Sequence, residues 1–242
     1  MPRTKIEWTE HSWNPITGCT PVSPGCDNCY AKRMAQRLRG RCGYSQADPF
    51  RVTFHPERLE EPLRRKKPTT YFVCSMGDLF HRDVKQLWLN EVFEVISACL
   101  QHRFLALTKR PSHIRLSGNN SLPNLWLGAS VENQTQADIR VADLSNVNHW
   151  HHFLSIEPLL GYINLRFKPW DQQPGCAVDW IIVGCESGPK RRKCKPEWIA
   201  DIVEQCGRAN IPCFVKQVSI NGRVSHDPAE WPAELRVRQT PW

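Results

Sequence analysis

The chain has 242 residues, of which 40% are hydrophobic and 23% are charged, a composition that is ordinary for a globular protein. No apolar run approaches the ~20 residues that span a bilayer, and the first residues lack the apolar stretch of a secretory signal. We therefore expect a cytoplasmic protein that does not bind membranes. The formal net charge of +8 favours a polyanionic partner such as nucleic acid, although a basic enzyme has the same balance.

The cysteines are the most informative residues. There are eleven, an odd number without the spacing of a small disulfide scaffold. In a cytosolic protein, clustered cysteines are typical of metal binding and scattered ones of packing. Cys19, Cys26 and Cys29 are clustered on a stretch with two prolines and two glycines, which predicts a shaped loop. We expect these three thiols to hold a metal or a cluster.

A helix is predicted to begin directly after Cys29, because apolar residues recur at helical spacing between residues 31 and 38. Its N-terminal N–H groups would favour anionic thiolates nearby. Three thiols leave one coordination position open, as in a site that does chemistry, whereas structural zinc needs four ligands. Two alternatives stay open: three ordinary buried cysteines, or a zinc site completed by Cys42 or His11.

The rest of the chain alternates short apolar runs with amphipathic segments. The runs lie at residues 71–74, 104–107, 125–129, 152–154, 180–183 and 212–215. Such runs are typical of parallel strands that are buried on both faces and connected by helices. With a first strand near the N-terminus, they predict an α/β fold, a partial or closed TIM-like (β/α) barrel of six to seven parallel strands. We expect the barrel domain to span residues 1–217, with an insertion at about 40–70, and a capping tail to span 218–242.

Polar or charged side chains follow each apolar run directly. They are Ser75, Asp78, Thr108, Lys109, Ser130, Glu132, Asn133, Ser155, Glu157, Glu186, Lys216 and Gln217. The C-terminal ends of barrel strands form the active face, so we expect these side chains to converge. The candidate catalytic residues among them are Glu132, Glu157, Glu186 and Lys109. The simpler alternative is that a chain becomes polar wherever a strand ends.

A three-cysteine loop after the first strand of a βα barrel resembles the radical S-adenosylmethionine (radical SAM) enzymes. In these enzymes three thiolates hold a 4Fe-4S cluster, and the cluster's free iron chelates S-adenosylmethionine, which is cleaved by reduction to a radical. The resemblance implies a cluster on Cys19, Cys26 and Cys29, S-adenosylmethionine as cofactor, and an electron donor such as flavodoxin or ferredoxin. It also implies that Met76, Gly77 and Asp78 meet the cofactor's amino group and that Ser130 and Glu132 lie near its ribose or carboxylate. The candidate cofactor-binding residues are Tyr30, Ser75, Met76, Gly77, Asp78, Ser130 and Asn133.

The cysteine spacing departs from the usual radical SAM pattern. It is C-x6-C-x2-C instead of C-x3-C-x2-C, and Asn28 stands where an aromatic residue usually precedes the last cysteine. Tyr30 supplies an aromatic ring one position after that cysteine. The departure concerns the contact with the cofactor's adenine more than cluster binding itself.

Nearly the whole chain also resembles a phage and prophage family of three-cysteine-motif proteins of uncharacterised function. The resemblance is carried by residues 5–9, 13–15, 17–19, 23–26, 29–31, 75–81, 107–111, 130–133, 155–161, 184–189 and 216–217. The family itself implies little about function. The three-thiol loop beside the polar strand ends predicts a radical SAM enzyme, and the positive charge with the phage association predicts that it modifies or repairs nucleic acid or nucleotides. The alternatives are a zinc- or cluster-stabilised nucleic-acid-binding protein without catalysis, and a barrel that serves as a partner subunit.

Overall fold

The computed structural model describes residues 4–116, 122–167 and 178–242. The chain divides into two compact units, Met1–Gly128 (unit 1) and Ala129–Trp242 (unit 2). The described residues have an α/β fold with a mostly parallel, eight-stranded sheet.

Unit 1 holds the N-terminal strands and two helices. Its elements are β1 (His11–Trp13), β2 (Ile16–Thr17), α1 (Tyr30–Arg37), β3 (Thr53–Phe54), β4 (Thr70–Val73), α2 (Gln86–Ala98), β5 (Arg103–Thr108) and most of β6 (Leu125–Ser130). The strand order is β1–β4–β5–β6, and β1, β4 and β5 pair in parallel. Strands β2 and β3 form a separate antiparallel pair. Strands β4 and β6 are buried along their whole length, as expected for central parallel strands.

Unit 2 continues the alternation of helices and strands. Its elements are α3 (Gln134–Ser145), β7 (His152–Ile156), β8 (Trp180–Gly184), α4 (Pro196–Ala209), β9 (Cys213–Ile220) and β10 (Arg223–Ser225). Strands β7, β8 and β9 pair in parallel, and β10 pairs antiparallel with β9. The turn between β9 and β10 is Asn221–Gly222, and both residues have positive φ, as a tight hairpin turn requires.

The sequence-based expectation of an α/β fold with parallel strands is confirmed, and the predicted apolar runs coincide with strands β4 to β9. The antiparallel strand β10 was not predicted. Closure into a barrel, and the domain limits expected from the sequence, stay predictions. Across the described residues, none of the helices combines the length and apolar character that a membrane span needs.

Candidate functional site

The three-cysteine segment is a loop, as predicted, and it contains one turn of 3-10 helix at Pro24–Cys26. Proline suits the first position of such a turn because the N–H that it lacks would have no partner there. Helix α1 begins at Tyr30, directly after Cys29, so the helix prediction is confirmed. All three cysteines are partly buried and free of disulfide bonds.

The start of this loop pairs with the segment that follows β4. The Gly18 N–H donates to the Met76 carbonyl at 2.9 Å, and Gly18 and Gly77 form a parallel bridge. Gly18 has φ +90°, and a Cβ there would lie 2.0 Å from the carbonyl oxygen of Arg51. Only glycine fits at this position, because both the backbone angle and the available space exclude a side chain.

Side-chain contacts strengthen the same junction. Asn14 Oδ1 accepts from the Met76 N–H at 2.9 Å and from Ser75 Oγ at 3.2 Å. The Tyr30 hydroxyl donates to the Ser75 carbonyl. The structure therefore brings Tyr30, Ser75, Met76 and Gly77, four predicted cofactor-binding residues, to the base of the cysteine loop. Asn14 was not among the predicted site residues.

Asp78 is buried beside this junction, and both of its carboxylate oxygens accept hydrogen bonds. Oδ1 accepts from the Thr108 hydroxyl at 2.8 Å and the Phe80 N–H at 3.0 Å. Oδ2 accepts from Arg110 Nη1 at 2.9 Å and from the Lys109 N–H at 3.4 Å. These contacts give Asp78 a clear positioning role, and its predicted contact with the cofactor stays a prediction.

Arg110 connects Asp78 to the cysteine loop. Its Nη1 also donates to Cys19 Sγ at 3.3 Å, and its Nη2 donates to the Thr20 carbonyl at 2.7 Å and to Thr20 Oγ1 at 3.1 Å. Sequence reasoning did not assign Arg110 to the site. It lies 91 residues from Cys19, and the signals that could have found it are its position directly after the strand-end residue Lys109 and its place in the resemblance segment 107–111.

Burial and, to a lesser extent, the charge of Asp78 together raise the pKa of the Cys19 thiol from 9.0 to about 11. The charge and hydrogen bond of Arg110 act in the opposite direction. The charge of Cys26 contributes to raising this pKa, so the two sulfur atoms interact electrostatically. In the metal-free protein at neutral pH, Cys19 is therefore a neutral thiol.

In the part of the chain that the structure describes, no group of three or more His, Cys, Asp or Glu side chains is arranged to hold a metal ion. The chemistry of the donor set nevertheless fits an iron–sulfur cluster. One loop supplies three free thiols, Cys19 and Cys29 pack against the same apolar group, and Arg110 donates to a sulfur atom. The residues present are thus chemically suitable for such a cluster.

Unit 2 contains the three predicted catalytic glutamates, and each has a basic partner. Glu132 is completely buried, and its Oε2 lies 2.8 Å from Arg140 Nη1, which also donates to the Ser130 carbonyl at 2.7 Å. Asn133 caps helix α3 by accepting from the Gln136 N–H. Sequence reasoning missed Arg140. Catalytic and cofactor roles for Glu132, Ser130 and Asn133 stay predictions.

The other two glutamates lie at the ends of β7 and β8. Glu157 Oε1 accepts from Lys216 Nζ at 2.6 Å and from Gln217 Nε2 at 2.8 Å. The structure thus joins three of the predicted strand-end residues. Glu186 forms a two-point contact with Arg192, through Nη2 at 2.6 Å and Nε at 3.0 Å. The convergence of these groups with the cysteine loop stays a prediction.

The fold is similar to that of an enzyme of known structure. A cysteine-to-serine mutant of spore photoproduct lyase matches with a TM-score of 0.50 and 16% sequence identity, over 75% of this chain and 57% of that chain. At this identity the similarity shows the α/β fold alone, and the present chain spans little more than half the length of the lyase.

The chain belongs to the DUF5131 family of proteins of unknown function, whose profile matches residues 3–231. None of the curated proteins matches the chain. The sequence-based expectation that the chain belongs to a family of uncharacterised function is confirmed. The association with phages stays a prediction.

Proposed function

We propose that this protein is a radical SAM enzyme in which Cys19, Cys26 and Cys29 hold a 4Fe-4S cluster. The observation that carries the proposal is the direct pairing of the cysteine loop with the segment after β4, from Gly18 to Met76. The sequence resemblance assigns the first segment to the cluster and the second to S-adenosylmethionine. Their adjacency is what a reaction between the two groups needs.

The protein's own residues position the ligands. Arg110 orients Cys19 by donating to its sulfur and holds the loop through Thr20. Asp78 holds the Arg110 guanidinium in position through an ion pair. The positive charge of Arg110 beside Cys19 favours the thiolate, which is the form of cysteine that binds a metal. A reduced cluster held by Cys19, Cys26 and Cys29 would supply the electron for the reductive cleavage of S-adenosylmethionine.

Cofactor binding is proposed for Tyr30, Ser75, Met76 and Gly77 near the loop, and for Asp78, Ser130 and Asn133. Glu132, Glu157, Glu186 and Lys109 are proposed to act on the substrate, with flavodoxin or ferredoxin as the electron donor. We propose nucleic acid or a nucleotide as the substrate, for modification or repair. The net charge of +8 supports a polyanionic substrate, and a fold shared with a lyase supports an enzyme.

The proposal is tested by anaerobic cluster reconstitution of wild type, Cys26→Ala and the control Cys42→Ala. Cys42 is an exposed cysteine outside the three-cysteine loop. Wild type and Cys42→Ala should each bind about four irons per chain and show visible absorbance that dithionite bleaches. Both should cleave S-adenosylmethionine to 5′-deoxyadenosine and methionine, and Cys26→Ala should do neither.

Three results would contradict the proposal. The first is a wild-type protein that stays colourless after reconstitution. The second is stoichiometric zinc with unfolding of Cys26→Ala, which would indicate a structural zinc site; unfolding of Cys42→Ala as well would identify Cys42 as the fourth ligand. The third is a full cluster that never cleaves S-adenosylmethionine, which would leave a cluster-stabilised binding protein.

A further inference from the structure

Helix α1 and the turn after it carry an exposed, purely basic surface next to the cysteine loop. Its cations are Lys32, Arg33, Arg37, Arg39 and Arg41, all exposed, and no acidic residue occurs from residue 28 to residue 47. We propose that this basic α1 surface binds the phosphate backbone of a nucleic-acid substrate. The proposal rests on the proposed function for the nature of the substrate, and it identifies where that substrate binds.

The helix presents its cations away from the body of unit 1. Ala31 and Ala35 are the buried residues of α1 and pack with Tyr44 and Phe50. With 3.6 residues per turn, Arg33 and Arg37 lie on the opposite face, one turn apart. Their guanidinium groups are therefore neighbours in solvent.

The stability of helix α1 does not explain why Lys32, Arg33 and Arg37 are all basic. Two like charges at i and i+4 repel each other on a helix surface. Lys32 and Arg33 lie in the first turn, where the positive end of the helix dipole disfavours cations. Among the residues described, none of the cations of this surface forms an ion pair with a carboxylate.

Two of the five cations do have structural roles. Arg41 donates to the Arg37 carbonyl at 2.6 Å, which is a favourable contact at a helix C-terminus. Arg39 donates to Gln36 Oε1 at 2.7 Å and to the carbonyl of Gln46 at 3.0 Å. Within the described part of the chain, the side chains of Lys32, Arg33 and Arg37 make no such contacts, so an external anion is the partner that accounts for them.

The anionic thiolate cluster is a competing partner, because helix α1 begins directly after Cys29. Distance separates the two explanations. Arg37 is eight residues beyond Cys29, roughly 12 Å along a helix axis at 1.5 Å per residue. That exceeds the Debye length of about 8 Å at physiological salt, so the cluster does not account for Arg37. A phosphate chain, which extends over many ångströms, reaches every cation of the surface.

The test compares the double variant Arg33→Glu/Arg37→Glu with the control Lys66→Glu/Lys67→Glu. Both change the formal charge equally, and the control lysines are exposed residues of the same unit. Binding is measured by fluorescence anisotropy with a labelled 24-base-pair DNA duplex at several salt concentrations. Single-stranded DNA and RNA of the same sequence distinguish the form of nucleic acid.

Losing two phosphate contacts should weaken duplex binding about 60-fold at 0.1 M salt and reduce the slope of log K against log salt by about 1.8. The control should bind within about threefold of wild type, as expected when no phosphate contact is lost. Equal weakening of both variants, or no weakening of Arg33→Glu/Arg37→Glu, would overturn the proposal. So would wild-type binding to phosphatidylserine vesicles but not to nucleic acid.

Two further measurements separate this proposal from the proposed function. Reconstituted Arg33→Glu/Arg37→Glu should retain wild-type iron content and wild-type S-adenosylmethionine cleavage without nucleic acid. Loss of iron would instead assign these arginines to the cluster and overturn the proposal. DNA binding is measured without S-adenosylmethionine and therefore does not depend on the enzymatic reaction. If the protein binds DNA through the basic α1 surface but holds no cluster, the proposed function is refuted and the DNA-binding proposal stands.

Discussion

Replacing Arg110 with methionine removes the side chain that connects Asp78 to the cysteine loop. The variant keeps the length of the arginine stem but loses the contacts with Asp78, Cys19 and Thr20. The side chains of Arg110 and Asp78 are only 7% and 5% exposed. The substitution therefore leaves a carboxylate buried without its cation.

Breaking a buried ion pair by removing one partner costs about 3–5 kcal/mol. Asp78 keeps its hydrogen bonds from Thr108 and Phe80, so we expect the lower end, about 3 kcal/mol. Adding Asp78→Asn removes the stranded charge. The double variant should therefore be more stable than the sum of the single losses predicts, by about 1–2 kcal/mol.

The assay is urea unfolding of the reduced, metal-free protein, followed by tryptophan fluorescence. Arg82→Met is the matched control, because Arg82 is 75% exposed and lies 3.7 Å from Asp83 in a surface pair. Such pairs contribute about 0–1 kcal/mol. If Arg110→Met is no less stable than Arg82→Met, or if the losses for Arg110 and Asp78 simply add, the reasoning about this buried pair is wrong.

The remaining predictions concern backbone strain and pH. Gly18→Ala should cost at least about 3 kcal/mol in thermal unfolding, because its positive φ and the 2.0 Å approach to the Arg51 carbonyl oppose a side chain. Gly207→Ala, in open space within α4, should instead stabilise by about 0.5–1 kcal/mol, and similar effects at both sites would count against the argument. Burial, aided by two neighbouring histidines, lowers the pKa of His152 from 6.5 to about 4, so the folded state favours the neutral ring. Stability is therefore full above pH 6.5 and is lost as the pH falls toward 4, by about 2 kcal/mol between pH 7 and pH 5. Urea unfolding at both pH values measures this loss, and His152→Leu should reduce it by about 2 kcal/mol, because the buried His55 and His81 also have lowered pKa values and keep their own contributions. An unchanged loss in that variant would refute the assignment.

Much of the secondary structure could be predicted from the sequence. Residues 71–74 and 180–183 are continuously apolar, and the structure places them in the buried strands β4 and β8. Likewise, the apolar spacing after Cys29 predicted helix α1, which begins at Tyr30. These features are local, because the spacing of apolar residues within a short run determines whether a strand or helix buries both of its faces, one face or neither.

The sequence also indicated part of the candidate site. The resemblance to radical SAM enzymes implied that residues 76–78, after β4, bind the cofactor of the cysteine-loop cluster, and in the structure Gly18 of that loop contacts Met76. The strand-end argument made Glu132 a candidate catalytic residue but did not predict its partner Arg140, against which it is completely buried. Strand-end position predicts where a side chain lies along a sheet but not which partner it finds.

The sequence by itself determined the order of strands and helices, the loop with three cysteines and the positive charge of helix α1. Only the tertiary structure decided that Arg110 contacts Cys19, and that Glu157 is held by Lys216, 59 residues further along the chain. Hydrophobic periodicity describes each segment's burial, which is a local property. Ion pairs between distant segments depend on strand register and side-chain direction, which are set only when the whole sheet has formed.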